Sequence, residues 1–395
     1  MKPGGDGPGE LTTAQVADYL GVKVQTVYAY VSRGVLTPRR RDPAVGSLFA
    51  LADVKGLVGG GRSGRRRRPG TSEDVRTAVT EVRPGRLSYR GRDVRDLAGR
   101  VPFEAVRALL TGLPQEQDDP AGGLPSGPDR AALARVLGAL PEGATPMDRF
   151  KHAVLVAGAT DVGRRDRTPA AFARAGARAV SLMALSLPGA RPAPTLGEAL
   201  AIPLAPCPPP TLDAALVLLA DHDLAVSTTA VRVAVSSGAD PYGALLAGLA
   251  AADSPLHMTA SSLALDWLRS ALAAPQDALD AALTRGRPPG FGHVVYTEQD
   301  PRAQVLLDLL GPHLPPGELA ALRRIGSELL ERRGWVLNVD VGLALLAHVH
   351  GLPRWAGTAV FACARTAGWT AHALEELAEP GMRFRLRGVY SGPRS

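Results

Sequence analysis

From Leu219 to Ser262 the chain reads LADHDLAVSTTAVRVAVSSGADPYGALLAGLAAADSPLHMTASS, and this stretch limits the possible folds most. It is rich in small residues, the composition that lets helices approach closely. His222, between Asp221 and Asp223, opens it, and His257, in a Ser-Pro-Leu-His turn, closes it. Two titratable landmarks framing a largely apolar run are how a helical core presents a site. The wider composition agrees. Only 5% of residues are aromatic, while Ala and Leu abound, which favours helix over strand. The fold class expected is therefore all-α.

With 395 residues, 45% hydrophobic and 21% charged, the chain has room for two or three domains and a large core. No apolar run reaches the roughly 18–20 residues of a membrane span. The opening MKPGGDGPGE lacks the apolar segment of a secretory signal. Cys207 and Cys363 stand far apart, so a disulfide framework is not expected and a cytoplasmic setting fits. The charge is unevenly placed. Residues 1–70 hold 12 Lys/Arg against 5 Asp/Glu, which accounts for the whole net charge of +7. A basic N-terminal module on a neutral body suggests a polyanion as partner of the first part alone.

Within residues 10–58, Leu11–Leu20 has the pattern of a short amphipathic helix with Leu11, Val16, Ala17 and Leu20 inward. Thr12 and Gln15 have capping-box spacing. Gly21 supplies a turn, and a second helix is expected over Val24–Arg33, stopped by Gly34. Gln25, Thr26, Tyr28 and Arg33 fall outward on it, side chains suited to phosphates and base edges. Leu36-Thr37-Pro38-Arg39-Arg40-Arg41 follows, then Ser47-Leu48-Phe49 and a brief helix around Asp53–Leu57. LTTAQVADYLGVKVQTVYAYVSRGVLTPRRR resembles the winged helix-turn-helix of the MerR and excisionase type. That resemblance implies DNA contacts from the second helix and backbone contacts from a wing bearing Arg39, Arg40 and Arg41. Residues 59–71, GGGRSGRRRRPGT, have the composition of a basic flexible linker, with the body at 72–395.

In the body, Thr77–Thr80 and Gly85–Val94 suggest a short strand pair running into a helix. Pro102–Leu110 follows as an amphipathic helix ended by Gly112. Helical patterns continue, broken at 189–195 and 202–210. No dinucleotide or Walker-type phosphate loop is present, and no metal-ligand motif. The polar residues carry the information. Gly290-Phe291-Gly292-His293 has glycines that permit close approach to His293, and Asp300-Pro301-Arg302 offers a fixed cation. Asp340 ends an apolar run where desolvation raises a carboxyl's pKa towards that of a useful base. Arg365 lies in a small-residue helix, and Arg385 and Arg387 lie near the C-terminus. Three histidines, one aspartate and several arginines suit a dianionic substrate and acid–base chemistry.

Residues 72–395 resemble citrate synthase. YRGRDVRDLA with FEAVRALLTGLP, then ADHDLAVST, SPLH, PGFGHVVY…DPRA, NVD and FACARTAGWTAH occur in that family's order. The resemblance implies a helical fold with a large domain and a small one (about 265–355) that close over substrate, normally in a homodimer. It implies that His257 stabilises the enol of acetyl-CoA, that Asp340 removes the methyl proton, and that His293 polarises the oxaloacetate carbonyl. His222, Arg302 and Arg365 would hold the carboxylates, and Arg385 would reach the partner's site. No cofactor is implied beyond acetyl-CoA or another acyl-CoA, such as propionyl-CoA, as substrate.

The chain departs from the family pattern on one side of the site. Where the family usually has Gly-Pro-x-His-Gly-Gly-Ala, this chain has Ser254-Pro255-Leu256-His257-Met258-Thr259-Ala260. Met258 and Thr259 add bulk and give up positive-φ freedom beside His257. Ser262 stands where many members have Glu, and Thr297 where a basic residue often meets CoA. Two readings follow: an active synthase joined to a DNA-binding module, or a metabolite-sensing regulator whose synthase-like domain turns over little.

Overall fold

The computed structural model describes residues 10–43, 45–60, 75–113 and 125–384. The chain divides into two compact units, Met1–Glu73 with Arg383–Ser395, and Asp74–Met382.

The first unit contains β1 (Glu10–Thr12), α1 (Thr13–Leu20), α2 (Val24–Ser32), β2 (Arg40–Asp42), β3 (Gly46–Ala50) and α3 (Leu51–Gly60). β3 lies between β1 and β2 in an antiparallel sheet, with Leu11 opposite Phe49 and Arg41 opposite Ser47. Leu11 therefore belongs to a strand rather than to the first helix, because β3 takes up its backbone hydrogen bonds. The helix starts one residue after Thr12, which forms the expected reciprocal cap: Thr12 N–H donates to Gln15 Oε1 (2.7 Å) and Gln15 N–H to Thr12 Oγ1 (3.3 Å). Gly21 makes the turn between helices at φ 66°. Leu11, Val16, Ala17, Val27, Leu36, Phe49 and Val54 close a small core. α3 runs to Gly60, so the first residues of the expected linker are helical; 61–71 lie outside the described residues.

The second unit opens with an antiparallel ribbon of β4 (Thr80–Arg83), β5 (Arg86–Tyr89) and β6 (Arg92–Asp93). Helices follow: α4 (Val94–Leu97), α5 (Phe103–Thr111), α6 (Gly127–Gly138), α7 (Pro146–Thr160), α8 (Pro169–Leu185), α9 (Leu196–Ala201), α10 (Pro209–Leu219), α11 (Val226–Ser236), α12 (Pro241–Ala252) and α13 (Ala260–Ala273). α14 (Pro275–Arg285), α15 (Pro301–Leu310), α16 (Pro316–Arg333), α17 (Val339–Val349) and α18 (Ala356–Leu377) complete it. Prolines at N1 or N2 open many of these helices, where the missing N–H costs nothing. Ser126, Thr145 and Thr195 cap theirs through reciprocal boxes.

α18 is the hub. Every residue from Ala356 to Ala373 is buried, and the helix packs against α5, α8, α10, α11 and α12. Such all-round burial demands small side chains. At Gly368 an added Cβ would lie 2.1 Å from Asp221 Oδ1 and 2.6 Å from the Ala220 carbonyl oxygen. That close approach brings Gly368 N–H to the Ala220 carbonyl (3.0 Å), joining α18 to the end of α10. α13, α14, α16 and α17 pack on one another, and α15 rests on α17 and reaches α4 and α10. No helix among the described residues is long and apolar enough to cross a membrane.

Candidate active site

The last carbonyls of α10 are left short of partners within the helix, and neighbouring elements supply them. Tyr89 Oη lies 3.1 Å from the Val217 carbonyl and 3.2 Å from that of Leu218, and Arg365 Nε donates to Leu219 O at 2.9 Å. The chain then turns through Asp221 to Asp223, a non-glycine residue at φ 55°, and presents His222. His222 Nε2 lies 3.0 Å from Tyr296 Oη, and its ring centroid 5.2 Å from that of His293. Tyr296 in turn stacks on His293 at 4.5 Å.

His293 accepts the backbone N–H groups of Val295 (3.0 Å) and Tyr296 (3.2 Å) at Nδ1, so a neutral ring carries its proton on Nε2. Burial, aided by the Arg302 cation, pushes its pKa down to about 4. The glycines before it permit a close approach of backbone. Gly290 (φ 82°) and Gly292 (φ 77°) shape a strip that pairs with the segment before α17. Gly292 N–H donates to Val336 O (2.6 Å), Asn338 N–H to Gly290 O (2.9 Å), and Asn338 Nδ2 to Gly292 O (3.0 Å). A Cβ on Gly290 would lie 2.4 Å from Val341 Cγ2. The pairing thus sets the His293 loop beside the start of α17, where Asp340 sits.

Asp340 has its N–H capped by Asn338 Oδ1 (2.9 Å), and its own Oδ1 is buried without a hydrogen-bond partner. Burial raises its pKa to about 6, against the opposing pull of Arg302. Arg302 is held at the start of α15 by Asp300, which accepts Nε (3.0 Å) and Nη2 (2.8 Å) and also the Val339 N–H (3.1 Å). One edge of this guanidinium is therefore spent, leaving the Nη1–Nη2 edge for a second anion. Arg365 is similar: Nε is engaged by Leu219 O, its charge lies over the Phe361 ring at 4.7 Å, and Nη2 is buried without a partner. Burial lowers its pKa to about 10, so it stays cationic at neutral pH.

His257 completes the cluster from the turn before α13. Trp369 Nε1–H donates to Ser227 Oγ (3.3 Å), which lies 2.8 Å from His257 Nε2; with the Ser227 hydroxyl donating there, the ring proton sits on Nδ1. Its ring meets Phe361 edge-on at 5.8 Å, and burial followed by Arg365 brings its pKa to about 4. His222, the most desolvated of the three, is held well below its ordinary value by burial and then by Arg302 and Arg365.

The structure thus brings together His222, His257, His293, Arg302, Asp340 and Arg365; Arg385 lies outside the described residues. Tyr296, Ser227, Trp369 and Asp300 join them through packing. Ser227, Asp300, Tyr296 and Trp369 lie inside the ADHDLAVST, DPRA, PGFGHVVY and FACARTAGWTAH motifs, so adjacency is a usable sequence signal for all four, though not for what each one touches. Met258 is fully buried, and Thr259 sits at φ −82°. Among the described residues Arg90, Asp223 and Met382 are the non-glycine residues at positive φ, so neither Met258 nor Thr259 is held in left-handed backbone. The described residues hold no group of His, Cys, Asp and Glu side chains placed to bind a metal ion.

This is a largely helical fold built around a buried cluster of histidines, arginines and one aspartate, and residues 72–387 match the family described as "Citrate synthase, C-terminal domain". The chain belongs to the citrate synthase family. Residues 10–54 match "Helix-turn-helix domain". The chain is 32% identical to the putative citrate synthase 2 of Mycobacterium tuberculosis over 339 residues, covering 78% of this chain and 87% of that one. It is 32% identical to the citrate synthase of Saccharolobus solfataricus over 203 residues, 46% of this chain and about half (52%) of the relative. Among solved structures, the citrate synthase of Thermotoga maritima aligns with a TM-score of 0.67 at 25% identity, over 82% of this chain and 95% of that one. The Thermoplasma acidophilum enzyme, solved with carboxymethyl coenzyme A and oxaloacetate, shares the fold at a TM-score of 0.69 and 23% identity, over 82% and 96%.

Proposed function

We propose that the larger unit condenses acetyl-CoA, or propionyl-CoA, with oxaloacetate to give citrate, or 2-methylcitrate, and free CoA. One observation carries this reading: Arg365 Nη2 and Asp340 Oδ1 are buried without partners in one cluster with three neutral histidines. An unpaired cationic N–H beside an Nη1–Nη2 edge left open on Arg302 suits two carboxylates, and His222 adds a further contact. His293 Nε2–H donates to the keto oxygen. His257 Nδ1–H donates to the thioester oxygen as the Asp340 carboxylate takes a methyl proton, since a thioester α-proton leaves readily only when the developing oxyanion is stabilised. The enol carbon then bonds to the keto carbon, whose oxygen takes a proton, and water cleaves the thioester to release CoA. Closure of the 265–355 region over substrate excludes earlier hydrolysis.

The loop from Ser254 to Thr259 sets rate and acyl choice, because Leu256 stands 96% exposed beside His257 while Met258 fills the core behind it. The protein acts as a cytoplasmic homodimer in which Arg385 reaches the partner's site. Residues 10–58 form a MerR/excisionase-type module that binds double-stranded DNA, with 59–71 as linker to the 72–395 body. Gln25, Tyr28 and Arg33 are exposed and Thr26 is half-buried on or beside α2, and Arg39, Arg40 and Arg41 are exposed on the wing, which supports that reading. Arg40 is paired with Glu10 (2.7 Å) and Asp42 (3.4 Å), so Arg39 and Arg41 are the wing's stronger phosphate ligands.

Thiol release from acetyl- or propionyl-CoA in the presence of oxaloacetate tests the enzyme reading. The expected result is oxaloacetate-dependent CoA release that Asp340→Ala abolishes while oxaloacetate still binds. Oxaloacetate binding without any thiol release would replace this reading with that of a metabolite sensor. Specific DNA retention by protein lacking residues 1–70 would remove the module's assigned role.

A further inference from the structure

Behind His222 lies a chain of buried polar side chains that the condensation does not use. Arg232 on α11 is 1% exposed and ion-paired with Glu375 and with Glu376 (3.1 Å) on α18. Its Nε (3.2 Å) and Nη2 (3.0 Å) both point at His372 Nδ1. A guanidinium only donates, so Nδ1 must accept, and the proton of a neutral His372 ring lies on Nε2. Nε2 lies 3.2 Å from Asp221 Oδ2. That same oxygen accepts the Asp223 N–H at 3.0 Å, closing the turn whose last residue sits at φ 55°. His222 is the residue between. Asp221 also balances the Arg365 charge electrostatically.

A string of this kind, in which Arg232, Glu376, His372 and Asp221 are all buried, costs more to desolvate than apolar packing of the same volume. A purely structural contact between α11 and α18 would not need to end on the turn that aims His222. We propose that His372 is a positioning residue: fixed by Arg232 with its Nε2–H on Asp221, it locks the Asp221–Asp223 turn and sets the aim of His222 at a substrate carboxylate. The inference rests on the reading that His222 and Arg365 hold the dicarboxylate.

The test uses full-length wild type, His372→Leu and His372→Gln, with oxaloacetate binding followed by calorimetry and turnover by thiol release. His372→Leu raises the Kd and KM for oxaloacetate about tenfold to a hundredfold, with the KM for acetyl-CoA and saturated kcat shifted by less than about threefold. His372→Gln, whose amide N–H reaches Asp221, recovers most of the loss. An unchanged oxaloacetate KM in His372→Leu overturns the proposal, as does an equal fall in all parameters that Gln does not relieve. A second measurement needs no variant. Nitrogen NMR of histidine-labelled wild type should find His372 neutral with its proton on Nε2, and a proton on Nδ1 overturns the relay. Wild type that neither binds oxaloacetate nor releases thiol would instead defeat the reading of the site, and the role given to His372 with it.

Discussion

Asp340 shows how a single side chain carries both a function and a cost. Its pKa is raised to about 6 from an ordinary 3.8, so the ionised form that serves as a base is the form that burial disfavours. Because the folded pKa exceeds the unfolded one, its contribution to stability is greatest below about pH 4 and declines as pH rises through 6. Asp340→Asn should therefore abolish turnover yet stabilise the fold by about 3 kcal/mol at pH 8, with the gain vanishing near pH 4. Melting curves across that range check it. In the wild type, kcat/KM should fall about tenfold per pH unit below pH 6 as the base is protonated.

At the scale of elements, α18 is the piece whose sequence is most constrained by its neighbours. Gly368→Ala drives a methyl into Asp221 and the end of α10. It should cost about 1–3 kcal/mol and weaken oxaloacetate binding together with stability; thermal melts and calorimetry read the two. The wing is a second element with its own prediction. Replacing Arg39 and Arg41 by Ala should weaken DNA binding uniformly across sequences. It should also make the slope of log K against log salt shallower by about 1 for each phosphate no longer neutralised. Arg40→Ala should act differently, through the Glu10 pair that ties β2 to β1.

For the whole molecule, the three site histidines have pKa values depressed by burial, two of them to about 4. Their stabilising effect is complete above the unfolded value near 6.5 and is lost as pH falls towards 4, because the unfolded chain binds protons that the folded chain refuses. Unfolding midpoints should drop steeply from pH 6.5 to pH 4, and oxaloacetate, which suits neutral histidines beside cationic arginines, should hold them up. A flat profile would mean that these rings are more solvated than their packing implies.

Much of this protein is open to inspection as a string of letters. Small residues in series, prolines at helix starts, the Thr12–Gln15 spacing and the order of the histidine and arginine motifs all act locally, within a turn or two. Local rules suffice for them. Leu11 fits the pattern of the first helix, yet it lies in a strand because Phe49, far along the chain, claims its backbone. The glycines around Phe291 are visible in the sequence, but their task of pairing with Val336–Asn338 is not. Ser227 meeting His257, Tyr296 bridging His222 and His293, and Asp300 occupying one edge of Arg302 arise from packing between distant elements. So do the pKa values, since desolvation depends on what surrounds a group in space. The chemical types at the site were set by the sequence alone, whereas their tautomers, charges and free edges were decided only when α18 gathered its neighbours around them.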